Sequence, residues 1–541
     1  MADQSSHSDD EAIKRILDAI DAGAVFENDP DDIEDEDLPE QPNFDIQTTD
    51  HGITLNLGGA EAGHQAVDEE PDIDDIETET VAPIDRPATE ADLAELARVV
   101  AELDQRASER EIDPSTEKIA MLMDFLGSPQ QNFKTIHVSG TNGKTSAVRM
   151  ISTLFEAFHR RVGYFVSPQL ETITDTISID GAPIHPEDFV RTYDEIAPYI
   201  ALVDERFDTP LSKFEVLTAI AYAAFADAPV DVAIIEVGMG GTWDATNVIQ
   251  ADVDVIMPVG LDHTDFLGDS LGEIASVKAG IITNPDAVVV VAKQEPEAME
   301  AILARAVETD AAVARFGSEF DVKESIVAVG GQTLTLQGLG GAYEDIFLPL
   351  SGAHQAGNAS VALAAVEAFF GASSAHQLDQ ATIRRGFAAV EVPGRLERVS
   401  STPTTFVDST HNPAGAQALA AALERDFDFT RLIGVVGVLA DKDVAGILAA
   451  LEPVLAEVVV TQPDSPRALD TYELAEIARS IFGDERVHVE EHLPSAVDVA
   501  RELLDEEEAE LGTGIVITGS VVTAGQARAL YGLHGLHGKD S

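Results

Sequence analysis

From Ala91 onward the chain repeats one pattern: an apolar stretch of strand length, a turn, then apolar residues at helical spacing. Residues 135–138 read as a short buried strand running into Ser139-Gly140-Thr141-Asn142-Gly143-Lys144-Thr145-Ser146, and a helix is expected over about 144–160. Residues 230–237 and 253–259 are further β-branched runs, each ending beside glycines. A second series, 405–407, 432–438, 457–460 and 515–518, is separated by helical patterns. Strands alternating with helices predict parallel sheets covered on both faces. Turn residues follow a helix at Val392-Pro393-Gly394, which predicts one domain over 91–392 and a smaller one over 393–541. No internal repeat of fixed period is visible.

The first 90 residues break this pattern. They hold about 28 acids against Lys14, Arg15 and Arg86, so about −25 of the formal −65 sits in one sixth of the length. Such a segment cannot bury enough surface to offset the entropy of ordering, and a disordered acidic extension is expected over 1–90. Ile13, Ile16, Leu17 and Ile20 share a helical face, which fits a transient helix as well as one docking an unidentified partner.

Over all 541 residues, 98 acids face 33 bases. A field of that sign repels phosphate backbones and argues against nucleic acid as a main partner. The chain has no cysteine, so disulfides, thiolate zinc sites, iron–sulfur clusters and a Cys nucleophile are excluded. The opening MADQSSHSDD shows no signal-peptide pattern, and the longest aliphatic run, 287–292, is too short to span a bilayer. A soluble cytoplasmic protein with no membrane attachment is expected.

Gly140-Thr141-Asn142-Gly143-Lys144-Thr145 joins a strand to a helix, the setting a phosphate-binding loop requires. Glycines let backbone N–H groups approach phosphate oxygens, and the helix N-terminus adds its positive end. Lys144 would reach the β- and γ-phosphates, and Thr145 could support a metal. The loop is shorter than the general G-x-x-x-x-G-K-[ST], because position 138 is Val. ATP is the expected cofactor.

Glu236 ends an otherwise apolar strand. There it suits Mg²⁺, which favours oxygen ligands and bridges phosphates, or else a capping or salt-bridged role. His263, just past the next strand, could hold a second cation or be structural. Lys278, by residue type alone, reads as a solvated lysine on a helix.

Taken together, His137 through Thr145, Glu236-Val237-Gly238-Met239-Gly240-Gly241, Asp244-Ala245-Thr246-Asn247 and Asp262-His263 resemble the Mur ligase superfamily. Within it they are most similar to the dihydrofolate synthase/folylpolyglutamate synthase family. Ser167-Pro168, Lys278-Ala279-Gly280-Ile281, His354-Gln355, Asn358-Ala359, Gly394-Arg395-Leu396-Glu397, Asp408, His411-Asn412-Pro413 and Asp441-Lys442-Asp443 follow in the family's order. The resemblance implies an α/β protein: a P-loop-containing, Mur-ligase-like central ATPase domain plus a smaller Rossmann-like C-terminal glutamate-ligase domain. It implies an ATP-dependent carboxylate–amine ligase that joins L-glutamate to dihydropteroate and to folates through an acyl phosphate, acting as a monomer on small molecules.

Position by position, the resemblance implies that Asn142, Gly143, Lys144, Thr145 and Ser146 hold the triphosphate. Ser167 and Glu236 would bind a first Mg²⁺. His263 would bind a second, beside Lys278 as an N-carboxylated lysine, with a monovalent cation as a further ion. Asn358 would face the adenine, Arg395 the phosphates, Asp408 the nucleotide and His411 the transferred phosphoryl group. Ser212, Lys213, Phe214, Glu215, Trp243, Asp244 and Ala245 match pterin-contacting segments; Trp243, the single tryptophan, suits stacking on a flat heterocycle, with a packed core indole as the alternative. Where the family carries other residues, this chain reads Gln169, Thr176, Thr242, Val277 and Ser409-Thr410. Two anions meet in the reaction, so a locally basic cleft lined by Lys144, Arg395, Lys442 and Arg467 is expected. The rival readings are another Mur-type ligase acting on a peptidoglycan-type precursor, and a catalytically weakened nucleotide- or folate-binding paralogue.

Overall fold

The computed structural model describes residues 46–49, 52–55, 86–107, 114–505 and 512–533. The chain divides into two units, 1–84 and 85–541. In the first, Ile46–Thr49 and Gly52–Leu55 pair antiparallel. The rest of the acidic extension, with Ile13, Ile16, Leu17 and Ile20, lies outside the described residues.

The second unit is built on two sheets. The larger has eight strands in the order Ala312–Arg315, Val288–Val291, Val253–Ile256, Lys134–Ser139, Val232–Glu236, Val162–Phe165, Ile177–Ile179, Ala182–Pro183. Alternation along each strand splits the core: Val232 and Ile234 face one helical layer, and Ala233 and Ile235 face the other. The first layer includes Lys144–Ala157, Ala353–Phe370 and Gln380–Ala388. The second includes Lys213–Asp227 and Pro186–Asp204, with Leu271–Lys278 and Pro296–Thr309 further along.

The smaller sheet has six strands in the order Glu397–Ser401, Thr404–Val407, Thr513–Thr518, Arg431–Val436, Glu457–Val460, Val487–Val489. Pro413–Asp426, Val444–Leu451 and Thr471–Phe482 cover one face, and Leu493–Asp505 and Val521–Leu530 the other. Among the described residues no helix is long and apolar enough to cross a membrane.

Six of the eight strands in the large sheet are mutually parallel, as the alternation predicts. The edges correct it: Ile177–Ile179 and Ala182–Pro183 add antiparallel, and so does Glu397–Ser401 in the small sheet. A separate antiparallel sheet, Asp321–Ala328, Gly331–Gln337 and Ala342–Leu348, was not foreseen; its apolar residues, Leu334, Leu336, Tyr343 and Ile346, join the core beside Ala353–Phe370. The helix after the phosphate loop ends at Ala157 rather than near 160, because His159 turns to φ 57°. Lys134–Ser139 sits between Val232–Glu236 and Val253–Ile256, so the carboxyl ends of three parallel strands open beside the loop, where open α/β sheets hold ligands.

Candidate active site

The phosphate loop is shaped by what glycine allows. Gly140 has φ +139°, and a Cβ there would lie 2.6 Å from the Met257 Cβ. Gly143 caps the helix Lys144–Ala157 at φ 85°, and a Cβ there would lie 2.7 Å from the Asn358 Oδ1. Asn358 is thereby placed against the loop, and its Nδ2 donates to Gln355 Oε1 at 3.0 Å. Gln355 Nε2 in turn reaches Ser146 Oγ at 3.4 Å. The Lys144 ammonium curls back on its own loop, donating to the carbonyls of Gly140 at 3.1 Å and Thr141 at 3.2 Å.

Glu236 ends its strand buried, with Thr145 Oγ1 donating to it at 3.0 Å. Burial pushes its carboxyl up to about 7, against the pull of Lys144, Thr145, Arg395 and the Ser167 backbone N–H. Arg395 lies near Glu236 and Asp408, and burial lowers its guanidinium. Asp408 accepts from the backbone N–H of Leu396 at 2.8 Å and of Thr410 at 2.9 Å, so it fixes the turn that presents Arg395.

On the other side of the loop, the buried Lys278 donates to the Gly140 carbonyl at 2.9 Å. Burial, with Lys144 nearby, brings its amine down to about 7. The Gly240-Gly241 pair lets this lysine come in: a Cβ on Gly241 would lie 2.6 Å from the carbonyl oxygens of Val277 and Lys278. His263 takes φ 52°, and burial lowers its imidazole to about 4.

Asp262, beside His263, is where the two domains meet. Lys442 Nζ donates to its Oδ1 at 2.9 Å, and Asn412 Nδ2 donates to its Oδ2 at 3.1 Å. The same Asn412 amide reaches Asn142 Oδ1 at 3.0 Å, linking the C-terminal domain to the phosphate loop itself. Burial raises the Asp262 carboxyl, but Lys442, His263 and His411 outweigh it and hold it below the usual carboxylate range. The ring of His411 hydrogen-bonds the Ser409 carbonyl through Nδ1 at 3.0 Å, and burial together with Lys442 lowers it to about 4.

The pterin-matching segments are organised differently. Ser212 and Glu215 form a reciprocal capping box on Lys213–Asp227, and Glu215 also lies 3.6 Å from the buried Lys118. Lys213 is engaged by Asp104 at 2.7 Å. Phe214 stacks on Phe165 at 5.7 Å and presses on Gly238, where a Cβ would come within 2.5 Å of its ring. Asp244 turns inward, accepting from Met239 N at 2.8 Å and Thr246 N at 2.9 Å. Ala245 is buried, and the half-buried Trp243 packs beside Gly240. At the substituted positions, the Thr242 hydroxyl donates to the Val277 carbonyl at 3.2 Å and the Thr176 hydroxyl to the Ile173 carbonyl at 2.7 Å.

Of the four expected basic groups, Lys144, Arg395 and Lys442 reach this centre. Arg467 pairs with Asp441 at 3.0 Å, half exposed. Asp262 and Asn412 prove to join the domains; their sequence signals were only the motifs Asp262-His263 and His411-Asn412-Pro413. Among the described residues no group of three or more His, Asp or Glu side chains gathers as a ready-made metal cage. That suits Mg²⁺, which takes one or two protein carboxylates and completes its shell with phosphate and water. Glu236 fits, because its buried carboxylate is held by hydroxyl and amide donors and lacks a full counter-charge.

The Mur ligase middle domain family matches residues 138–366, and the Mur ligase glutamate ligase domain family matches residues 394–521. The dihydrofolate synthase/folylpolyglutamate synthase of Mycobacterium tuberculosis is 56% identical over 464 residues, 82% of this chain and 95% of that protein. The Escherichia coli protein of the same name is 32% identical over 365 residues, 68% of this chain and 81% of that protein. The solved structure of Mycobacterium tuberculosis folylpolyglutamate synthase complexed with ADP has a TM-score of 0.79 at 56% identity, covering 82% of this chain and 100% of that one. A phosphate loop flanked by buried Glu236 and Lys278, and identity of this extent, lead to one conclusion: the chain belongs to the dihydrofolate synthase/folylpolyglutamate synthase family of the Mur ligases.

Proposed function

We propose that this chain is an ATP-dependent ligase that adds L-glutamate to dihydropteroate and to folates, with residues 91–392 carrying the nucleotide and 393–541 closing over it. The observation that carries the reading is the convergence of Lys144, Glu236 and Lys278 on one short loop.

In this reading the backbone of Asn142–Ser146 cradles the triphosphate at the helix N-terminus. Lys144 leaves its two loop carbonyls for the β- and γ-phosphate oxygens, and Arg395 approaches from the C-terminal domain. The substrate carboxylate attacks the γ-phosphorus, ADP leaves, and the glutamate amine then displaces phosphate from the acyl carbon. Asn358 faces the base, Asp408 holds the turn bearing Arg395, and His411 flanks the transferred group. Ser167, Glu236 and His263 are the residues that would hold Mg²⁺, which supplies charge neutralisation at the oxygens that gain charge. A lysine amine brought near neutrality can take up CO₂, giving an N-carboxylated Lys278 and a released proton, and its remaining N–H still serves the Gly140 carbonyl. Phe214, Trp243 and Ala245 shape the pterin wall, while Ser212, Lys213, Glu215 and Asp244 hold that wall in place. Contact across Asp262 shuts water out from a reactive acyl phosphate.

Incorporation of labelled glutamate, run in parallel with dihydropteroate and with tetrahydrofolate, tests the reading. Both acceptors are expected to support incorporation with stoichiometric phosphate release. Phosphate release indifferent to both acceptors and to glutamate would overturn it.

A further inference from the structure

We infer that Arg528 is a positioning residue that sets two walls of the phosphate site at once. It lies in the helix Val521–Leu530 with its side chain fully buried. Its Nε donates to Glu171 Oε1 at 2.7 Å, and its Nη1 pairs with the Glu397 carboxylate.

Each carboxylate leads back to a group beside Glu236. Glu171 stands four residues after Ser167, whose backbone N–H hydrogen-bonds Glu236; Glu397 stands two residues after Arg395, whose charge also acts on Glu236. Both connections are short. Asp175 accepts from the backbone N–H groups of Glu171 and Thr172, each at 2.9 Å, and the Val166 N–H donates to the Thr176 carbonyl at 2.9 Å, so both ends of the loop 166–172 are tied to the turn at 172–176. Glu397 accepts from the Gly394 N–H at 2.7 Å, fixing the turn that carries Arg395.

Packing gives a second, independent sign that this loop is fitted to the C-terminal domain. A Cβ on Gly525 would lie 2.0 Å from the Leu170 carbonyl oxygen, so glycine alone admits the loop backbone here. The Leu170 side chain packs on the cluster that includes Val407, Ile517, Ala524 and Ala527. Arginine's planar fork can hold carboxylates arriving from two directions, which a lysine's single ammonium cannot do in the same geometry. Removing one carboxylate leaves the buried guanidinium with less counter-charge and frees the segment that the carboxylate tethered. Seating of the C-terminal domain is therefore read, through Arg528, by the loop that bears Ser167.

The inference rests on the ligase reading for its turnover readout, so the test adds one that does not. Glu171→Ala breaks the cross-domain half and leaves the pair with Glu397; Arg528→Lys keeps the charge and loses the fork. Amide hydrogen exchange with ADP bound is expected to rise at least about tenfold over 166–172 in both variants, and to stay unchanged over 140–145. In glutamate ligation kcat is expected to fall about tenfold or more, with KM for ATP within about twofold, because the walls move and the loop does not. Wild-type exchange over 166–172 in both variants would overturn the inference, as would wild-type kcat in both variants where the unaltered enzyme ligates. A wild-type protein that fails to ligate would sink the functional reading alone, and the exchange pattern would still decide the role of Arg528.

Discussion

The two sides of the cleft treat carboxylates in opposite ways. At the phosphate loop, Glu236 has the Thr145 hydroxyl, the Ser167 backbone N–H and the charges of Lys144 and Arg395 near it, yet burial still pushes its carboxyl up to about 7. In the loop over 239–246, Asp244 is equally buried, yet its oxygens are taken up by Met239, Thr246 and Gly238 N–H groups. In the proposed reading the first carboxylate is left open to a cation, while the second, its oxygens taken by Met239 and Thr246, contributes to the pterin wall through shape. An acid's role here follows from how many donors already face it, and identity of residue type says little.

The largest test of that contrast is Glu236→Gln. Ligation is expected to drop by about 100-fold or more in kcat, while the thermal midpoint holds or rises, because a neutral amide suits the buried site. Preserved turnover with a lowered midpoint would assign Glu236 to the fold instead. Asp244→Ala should do the reverse in kind. Loss of its backbone partners is expected to cost about 2–4 kcal/mol in denaturant unfolding, with ADP affinity retained once the protein is folded.

A third carboxylate sharpens the comparison. Asp254, in the strand beside the phosphate-loop strand and in register with His137, has neither oxygen hydrogen-bonded among the described residues. Burial pushes its carboxyl well above the ordinary range. The folded state thus binds a proton that the unfolded state releases, so stability is fully present below the unfolded value, near 4, and declines as pH rises above it. Asp254→Asn is expected to stabilise by about 1–2 kcal/mol at pH 8, with little gain at pH 4, read from midpoints at the two pH values. A loss of stability at pH 8 would mean that a hidden partner holds the charge.

Much of this was legible in the chain itself. The strand before Glu236 is apolar until its last residue, which marks that carboxylate as deliberate, and the loop from Gly140 to Thr145 announces phosphate by glycine and lysine spacing. Lys278 was legible only through the family pattern, since a lysine on an amphipathic helix ordinarily points to water. What brings it in is the bare backbone of Gly241, a contact between segments far apart in sequence. The same holds for Asp262, Asn412 and Lys442, which lie 150 and 180 residues apart and meet only when two sheets pack. The sheet over 321–348 was not legible because the consecutive Ile326 and Val327 are both exposed in its first strand, which blurs the two-residue period.

The hydrogen bond from Asn412 to Asn142 makes the loop proposed to cradle the nucleotide also the docking point for a neighbouring domain. A compound wedged into that junction would arrest the enzyme by propping it ajar, without mimicking adenine or phosphate.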